Sequence, residues 1–162
     1  VLLTLSIIIV ATALIEAVIF LRVYRFPFIY VTFLGLTFPL SHWIGWAGAL
    51  YIIITSPIQP IVKRKAPQRF RTFLSVHMIG NSLAFLLVSI HFAQQITRPA
   101  SNYPDLGTGI ALYVATTLLV ATGIVLYAGM TKKYSKSLRF LHPAFAIAFY
   151  LIILVHILKG IL

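Results

Sequence analysis

Residues 69–96, RFRTFLSVHMIGNSLAFLLVSIHFAQQI, decide the fold of this chain. They set His77 and His91 fourteen residues apart inside an apolar run long enough to cross a bilayer. A helix turns about 100° and climbs about 1.5 Å per residue, so fourteen steps fall about 40° short of four full turns and rise about 21 Å. The two imidazoles therefore share one helical face at two depths. The spacing returns in residues 135–162, SKSLRFLHPAFAIAFYLIILVHILKGIL, where His142 and His156 are again fourteen apart. Two such helices, side by side, bring four imidazoles together as two pairs.

The composition around these stretches is that of a membrane protein. Of the 162 residues, 60% are hydrophobic and 9% charged, with a mean hydropathy of +1.01; soluble domains carry about 25% charged residues. The net charge of +11 sits in short connections between apolar runs, which orients a membrane protein and argues against a nucleic-acid partner. The apolar start is too long for the hydrophobic core of a secretory signal and has no basic residues before it, so no cleavable signal is expected. Cysteine is absent, which excludes disulfides, thiolate-held iron–sulfur clusters and c-type haem attachment.

Five apolar spans are expected, at about 1–21, 28–56, 72–97, 107–130 and 138–162, forming one all-α transmembrane domain over residues 1–162. Nine of the thirteen Lys and Arg residues fall in two connections. Residues 56–71 hold Lys63, Arg64, Lys65, Arg69 and Arg71, and residues 131–139 hold Lys132, Lys133, Lys136 and Arg139. With five crossings both connections lie on one side, which the positive-inside bias makes the cytoplasm of a plasma-membrane protein with its carboxyl end outside. Arg22, Arg25, Arg98 and Lys159 fall on the other side, where residues 98–108, RPASNYPDLGT, read as an external turn.

Ionisable groups inside spans are costly and mark function by default. A tetrahedral zinc site would need its ligands at one depth, and a carboxylate-held iron would need more acids than Glu16 and Asp105. One neutral imidazole from each of two helices suits the two axial positions of a haem iron. The reading is two b-type haems, His77 with His142 on the inner side and His91 with His156 on the outer. With both axial positions filled, the irons carry electrons rather than bind oxygen.

Other residues join this picture with less specificity. Gly80, one turn after His77, would give a porphyrin room to approach, as small residues also do for neighbouring helices. Arg69, Arg71 and Arg139 are candidates for the inner propionates, Arg98 or Lys159 for the outer ones, and each is also an ordinary interfacial anchor. His42, with Pro39, Trp43 and Trp46 nearby, is more simply a packed residue, with a quinone or propionate contact as the functional alternative. Glu16 is the one acid inside a span, either proton-linked or structural.

From about residue 57 onward, the basic connection, FLSVHMIGNSLAFLLVSIH, a helix without ligands and RFLHPAFAIAFYLIILVH resemble the ferric reductase-like transmembrane family, which includes the membrane domains of NADPH oxidases and metalloreductases. The resemblance implies His77, His91, His142 and His156 as haem ligands and electron flow from a cytoplasmic reductant to an external acceptor. Members commonly have a sixth helix and a flavin and nicotinamide domain, whereas no Gly-rich nucleotide cradle occurs in this sequence. The donor is then another redox subunit (a flavoprotein, iron–sulfur protein or cytochrome), a quinol, or a further part of the chain. The H-x-x-G pattern with a second His eleven residues beyond the Gly is also similar to quinol-oxidising cytochromes b. Besides an electron-transfer subunit, the alternatives are a reductase acting at the outer face and a non-redox transporter whose imidazoles relay protons.

Overall fold

The computed structural model describes residues 1–24, 27–98, 107–129 and 133–161. Helix α1 spans Leu2–Phe20, and a two-stranded hairpin of β1, Tyr30–Phe33, and β2, Leu36–Pro39, leads into α2, Leu40–Lys65. A single 3-10 turn, Pro67–Arg69, joins it to α3, Phe70–Ile96; α4, Gly107–Ala128, and α5, Ser135–Ile161, complete the chain. Among the described residues, five helices are long and apolar enough to cross a membrane. Threonine hydroxyls inside them donate back to the carbonyl four residues earlier, as Thr12, Thr116 and Thr122 do at 2.7–2.8 Å, which keeps those protons paired in apolar surroundings.

The helices alternate in direction. The carboxyl ends of α2 and α4 and the amino ends of α3 and α5 gather with the basic residues at one end of the bundle, here the basic end. The hairpin, the ends of α1 and α3 and the start of α4 form the opposite, hairpin end; Phe20 of α1 meets Phe92 of α3 there, ring centroids 6.4 Å apart. Helix α2 packs along α3, α4 along α5, and α1 and α4 also pack on α3, while α3 and α5 are not among the closely packed pairs. The two histidine helices thus face each other across a gap walled by α2 and α4. At mid-depth the gap is closed by a cluster that includes Ile52, Ala84, Leu119 and a fully buried Phe149. Ala84 and Phe149 each lie seven residues from both histidines of their own helix, so core and histidines share a face.

The second span differs from the expectation. It starts at Leu40 rather than near residue 28, and it continues past Ser56 to Lys65. Leu34 and Gly35 both have positive φ, 51° and 77°, the signature of a two-residue hairpin turn of type I′. The strands then pair Tyr30 with Pro39 through Phe33 with Leu36, and Thr32 and Thr37 share a hydroxyl hydrogen bond of 2.8 Å across them. Pro39 occupies the N-cap of α2, and the Trp43 indole donates to the Val31 carbonyl at 3.0 Å, fixing hairpin to helix. His42 accordingly sits in the first turn of α2, not in a span interior.

Pro57 and Pro60 do not end α2. A proline removes the hydrogen bond to the carbonyl four residues earlier. For Pro57 that carbonyl is Ile53, and it accepts instead from the Tyr150 hydroxyl of α5 at 2.8 Å. The connection expected over 56–71 shrinks to the turn at Pro67–Arg69, and Lys63, Arg64 and Lys65 fall in the last turn of α2, where cations favour the helix dipole. Asp105, Arg25, Lys132 and most of the expected external turn lie outside the described residues.

Candidate functional site

Two cavities lie in the gap between α3 and α5, one on each side of the mid-depth cluster. At the basic end, His77 of α3 and His142 of α5 line a cavity of about 480 Å³ together with Met78, Asn81, Ser82 and Gly123. An adjoining space of about 610 Å³ opens from the same two histidines toward Phe70, Tyr127 and Ser135. Both spaces reach Lys63 and Arg139. Helix α4 positions His142: the Thr122 hydroxyl oxygen lies 3.0 Å from its Nδ1, and a Cβ on Gly123 would come to 3.1 Å from its Cε1. His77 is buried, with the Asn81 amide nitrogen 3.3 Å from its Nδ1 and 3.1 Å from its Nε2. Asn81 in turn takes a 3.1 Å hydrogen bond from Thr55 of α2.

At the hairpin end, His91 and His156 line a smaller cavity, about 210 Å³, with a third imidazole, His42. The His156 Nδ1 lies 3.2 Å from the Thr108 hydroxyl, and a Cβ on Gly109 would meet His156 Cε1 at 3.4 Å. His91 has its Nδ1 buried without a hydrogen-bond partner. The His42 ring stands edge-on to it, centroids 4.6 Å apart at 72°. Gly45 makes this approach possible, because a Cβ there would fall 2.8 Å from His91 Cγ. His42 is stacked on Phe38 of the hairpin, centroids 5.6 Å apart, and its Nδ1 is 3.4 Å from the Gln95 amide.

Arg98 and Lys159 line the mouth of this cavity. The Arg98 guanidinium lies 4.9 Å from the Phe28 ring centroid, its Nε is buried without a partner, and burial draws its pKa below the ordinary value. Tyr113 of α4 forms another wall, stacked on Phe92 with centroids 4.0 Å apart. Its hydroxyl donates to the Glu16 carboxylate and lies 3.2 Å from Ser89 Oγ. Glu16 is therefore tied across the bundle rather than isolated.

Of the other residues singled out in the sequence, Arg139 reaches the basic-end cavities, whereas Arg69 and Arg71 are exposed and line none of the three spaces. Gly80 does not open onto a histidine cavity: a Cβ there would run into the Tyr51 side chain, so the glycine admits α2 against α3. Lys63 lines the basic-end cavities although its sequence position suggested only an orienting charge. The fourth helix, read as carrying no ligands, supplies Thr108-Gly109 and Thr122-Gly123, two Thr-Gly pairs fourteen residues apart. That interval equals the histidine spacing and was the signal available for finding them. Among the described residues, no group of three His, Asp or Glu side chains is arranged to hold a metal ion. Each cavity instead offers an imidazole from each of two facing helices.

No known protein family, curated protein or solved structure matches this chain.

Proposed function

We propose that the protein is a transmembrane electron-transfer cytochrome carrying two b-type haems, one between His77 and His142 and the other between His91 and His156. The observation that carries this reading is the pairing of imidazoles from facing helices in two cavities stacked along the bundle. The surroundings fit the group. The linings are mostly apolar, and Thr122 holds the Nδ1 side of His142. The basic-end space of about 480 Å³ lies within the about 300–1,000 Å³ usual for cofactor pockets, whereas the hairpin-end space of about 210 Å³ lies below it, so a haem there requires His42 and Phe38 to move aside. Bound haem would supply one-electron exchange at each iron.

The chain's own residues then have defined tasks. Each histidine pair would fix the depth and orientation of the group, the cluster around Phe149 would keep the two sites apart and dry, and two imidazoles at each iron would leave small oxidants no place to bind. Arg139 and Lys63 would hold carboxylates at the basic end, and Arg98 and Lys159 at the other. By the positive-inside bias the basic end faces the cytoplasm of a plasma membrane, which favours entry of electrons from a cytoplasmic flavoprotein or another redox subunit. The resemblance to ferric reductase-like membrane domains supports this direction. A second reading, a quinone-reactive cytochrome b, is favoured by one observation, the His42–Gln95 contact beside the hairpin-end cavity.

Reduced-minus-oxidised spectroscopy with haem quantification tests the reading. A b-type spectrum with two haems per chain is expected. A purified, folded protein without iron would overturn it in favour of a transporter or structural subunit. Steady reduction of an external metal or oxygen acceptor by the isolated chain with a donor flavoprotein would replace it with the reductase alternative.

A further inference from the structure

Helix α4 contributes no imidazole, yet it touches both histidines of α5 in the same way. At each depth a threonine hydroxyl meets Nδ1, 3.0 Å for Thr122 with His142 and 3.2 Å for Thr108 with His156. At each depth the next residue is a glycine whose missing side chain lets the imidazole edge lie against the α4 backbone. The direction of one of these hydrogen bonds follows from the helix. Thr122 has one hydroxyl proton, and the carbonyls of Leu118 at 2.7 Å and Leu119 at 3.0 Å both lie within its reach, the former closer than the imidazole. With the proton on a carbonyl, only lone pairs remain for His142; Nδ1 would then carry the proton and donate, leaving Nε2 without one.

Among the described residues, neither α3 histidine has a hydroxyl against its ring. His91 has a buried Nδ1 with no partner, and His77 meets an amide nitrogen, which donates rather than accepts. The asymmetry belongs to α5 at both depths and repeats with the period of the ligands.

We infer that Thr122 and Thr108 are positioning residues that each set the tautomer and the donor strength of one α5 histidine, so that α4 tunes the two metal sites separately. The inference rests on the haem reading above. An acceptor on Nδ1–H makes the imidazole a stronger donor at Nε2, which favours the oxidised metal and lowers that site's reduction potential. Glycine matters most at 123, where a Cβ would press on the imidazole at 3.1 Å; at 109 a Cβ would make ordinary contact at 3.4 Å.

The test is redox titration of the full chain carrying Thr122→Val or Thr108→Val, with each site followed by its own low-temperature spectrum. Thr122→Val should keep two haems and raise only the basic-end potential, with up to about tenfold more reduced metal at a fixed potential, equivalent to about 59 mV for a one-electron couple. Thr108→Val should do the same only at the hairpin end, and Thr122→Ser should restore the original value. Unchanged potentials in both variants, or equal movement of both sites in either one, would overturn the inference. If the purified wild-type chain holds no haem, the cytochrome reading has failed, and ¹⁵N-histidine NMR of that same protein decides the remainder. His142 protonated at Nδ1 supports the role of Thr122, and protonation at Nε2 overturns it.

Discussion

The two ends of the bundle use the same histidine spacing and make different surroundings from it. At the basic end His77 and His142 face about 480 Å³ of open space, and both imidazoles have polar neighbours from Asn81 and Thr122. At the hairpin end only about 210 Å³ separates the linings, because His42 and Phe38 press into the volume and His91 has lost a partner for Nδ1. The difference arises in α2. Where α2 approaches α3 near its start, Gly45 lets it come in until His42 and His91 touch. Toward its other end, Thr55 and Asn81 keep the helices joined through polar side chains. A repeated histidine pattern on α3 and α5 therefore does not imply two equivalent sites, since the neighbouring helix is not repeated.

The largest way to break this comparison is to remove the proposed haem ligands. His142→Ala or His77→Ala should lower haem from two to one per chain with loss of the basic-end spectrum, and His91→Ala or His156→Ala should do the converse. Equal loss of both signals from any one variant would show that the ends are not separate sites. His42→Ala sharpens the contrast: two haems should remain, with the hairpin-end signal altered, and a fall to one would make His42 a ligand.

Gly45→Ala comes next. Its Cβ would lie 2.8 Å from His91 Cγ, closer than the 3.1 Å for Gly123→Ala at His142. Overpacking of this kind costs about 1–3 kcal/mol, so thermal unfolding should show a clear loss for Gly45→Ala and a smaller one for Gly123→Ala. The hairpin-end haem should also leave first in the former. A comparable cost follows for Tyr113→Phe, which leaves the Glu16 carboxylate without its donor and should destabilise by about 1–3 kcal/mol. Replacing both residues by apolar ones should recover much of that loss, a non-additivity that a double-mutant cycle reads directly. The smallest effect is expected for Tyr150→Phe, about 0.5–1.5 kcal/mol through the freed Ile53 carbonyl, with neither haem singled out because the contact lies between the two sites.

The helices of this fold were readable because hydrocarbon allows few alternatives, and His77, His91, His142 and His156 stood out because a fixed interval on a helix is a fixed face. The hairpin was hidden by the same apolarity. Residues 30–39, YVTFLGLTFP, are as greasy as a span, and the clue was only a Leu-Gly turn with a proline after it. The extension of α2 through Pro57 and Pro60 was hidden for the opposite reason. Two prolines followed by cations read as a loop, and what allows the helix to continue is a tyrosine ninety-seven residues from Ile53. At the sites, residues with distinctive chemistry were found and unassuming ones were not. Thr108, Thr122 and their glycines act through backbone-like contacts that give a sequence no unusual letter.

The bond between Glu16 and Tyr113 also has a bearing on how the protein is made. The two residues are ninety-seven positions apart, so at about 5–20 residues per second the carboxylate exists for roughly 5–20 s before its tyrosine has been synthesised. During that interval α1 holds an acid four residues from its carboxyl end, close enough to the headgroups to draw water to it. The half-buried acid consequently waits for α4 before it has its donor. Helix α1 gains its polar contact with α4 only after α4 has been made.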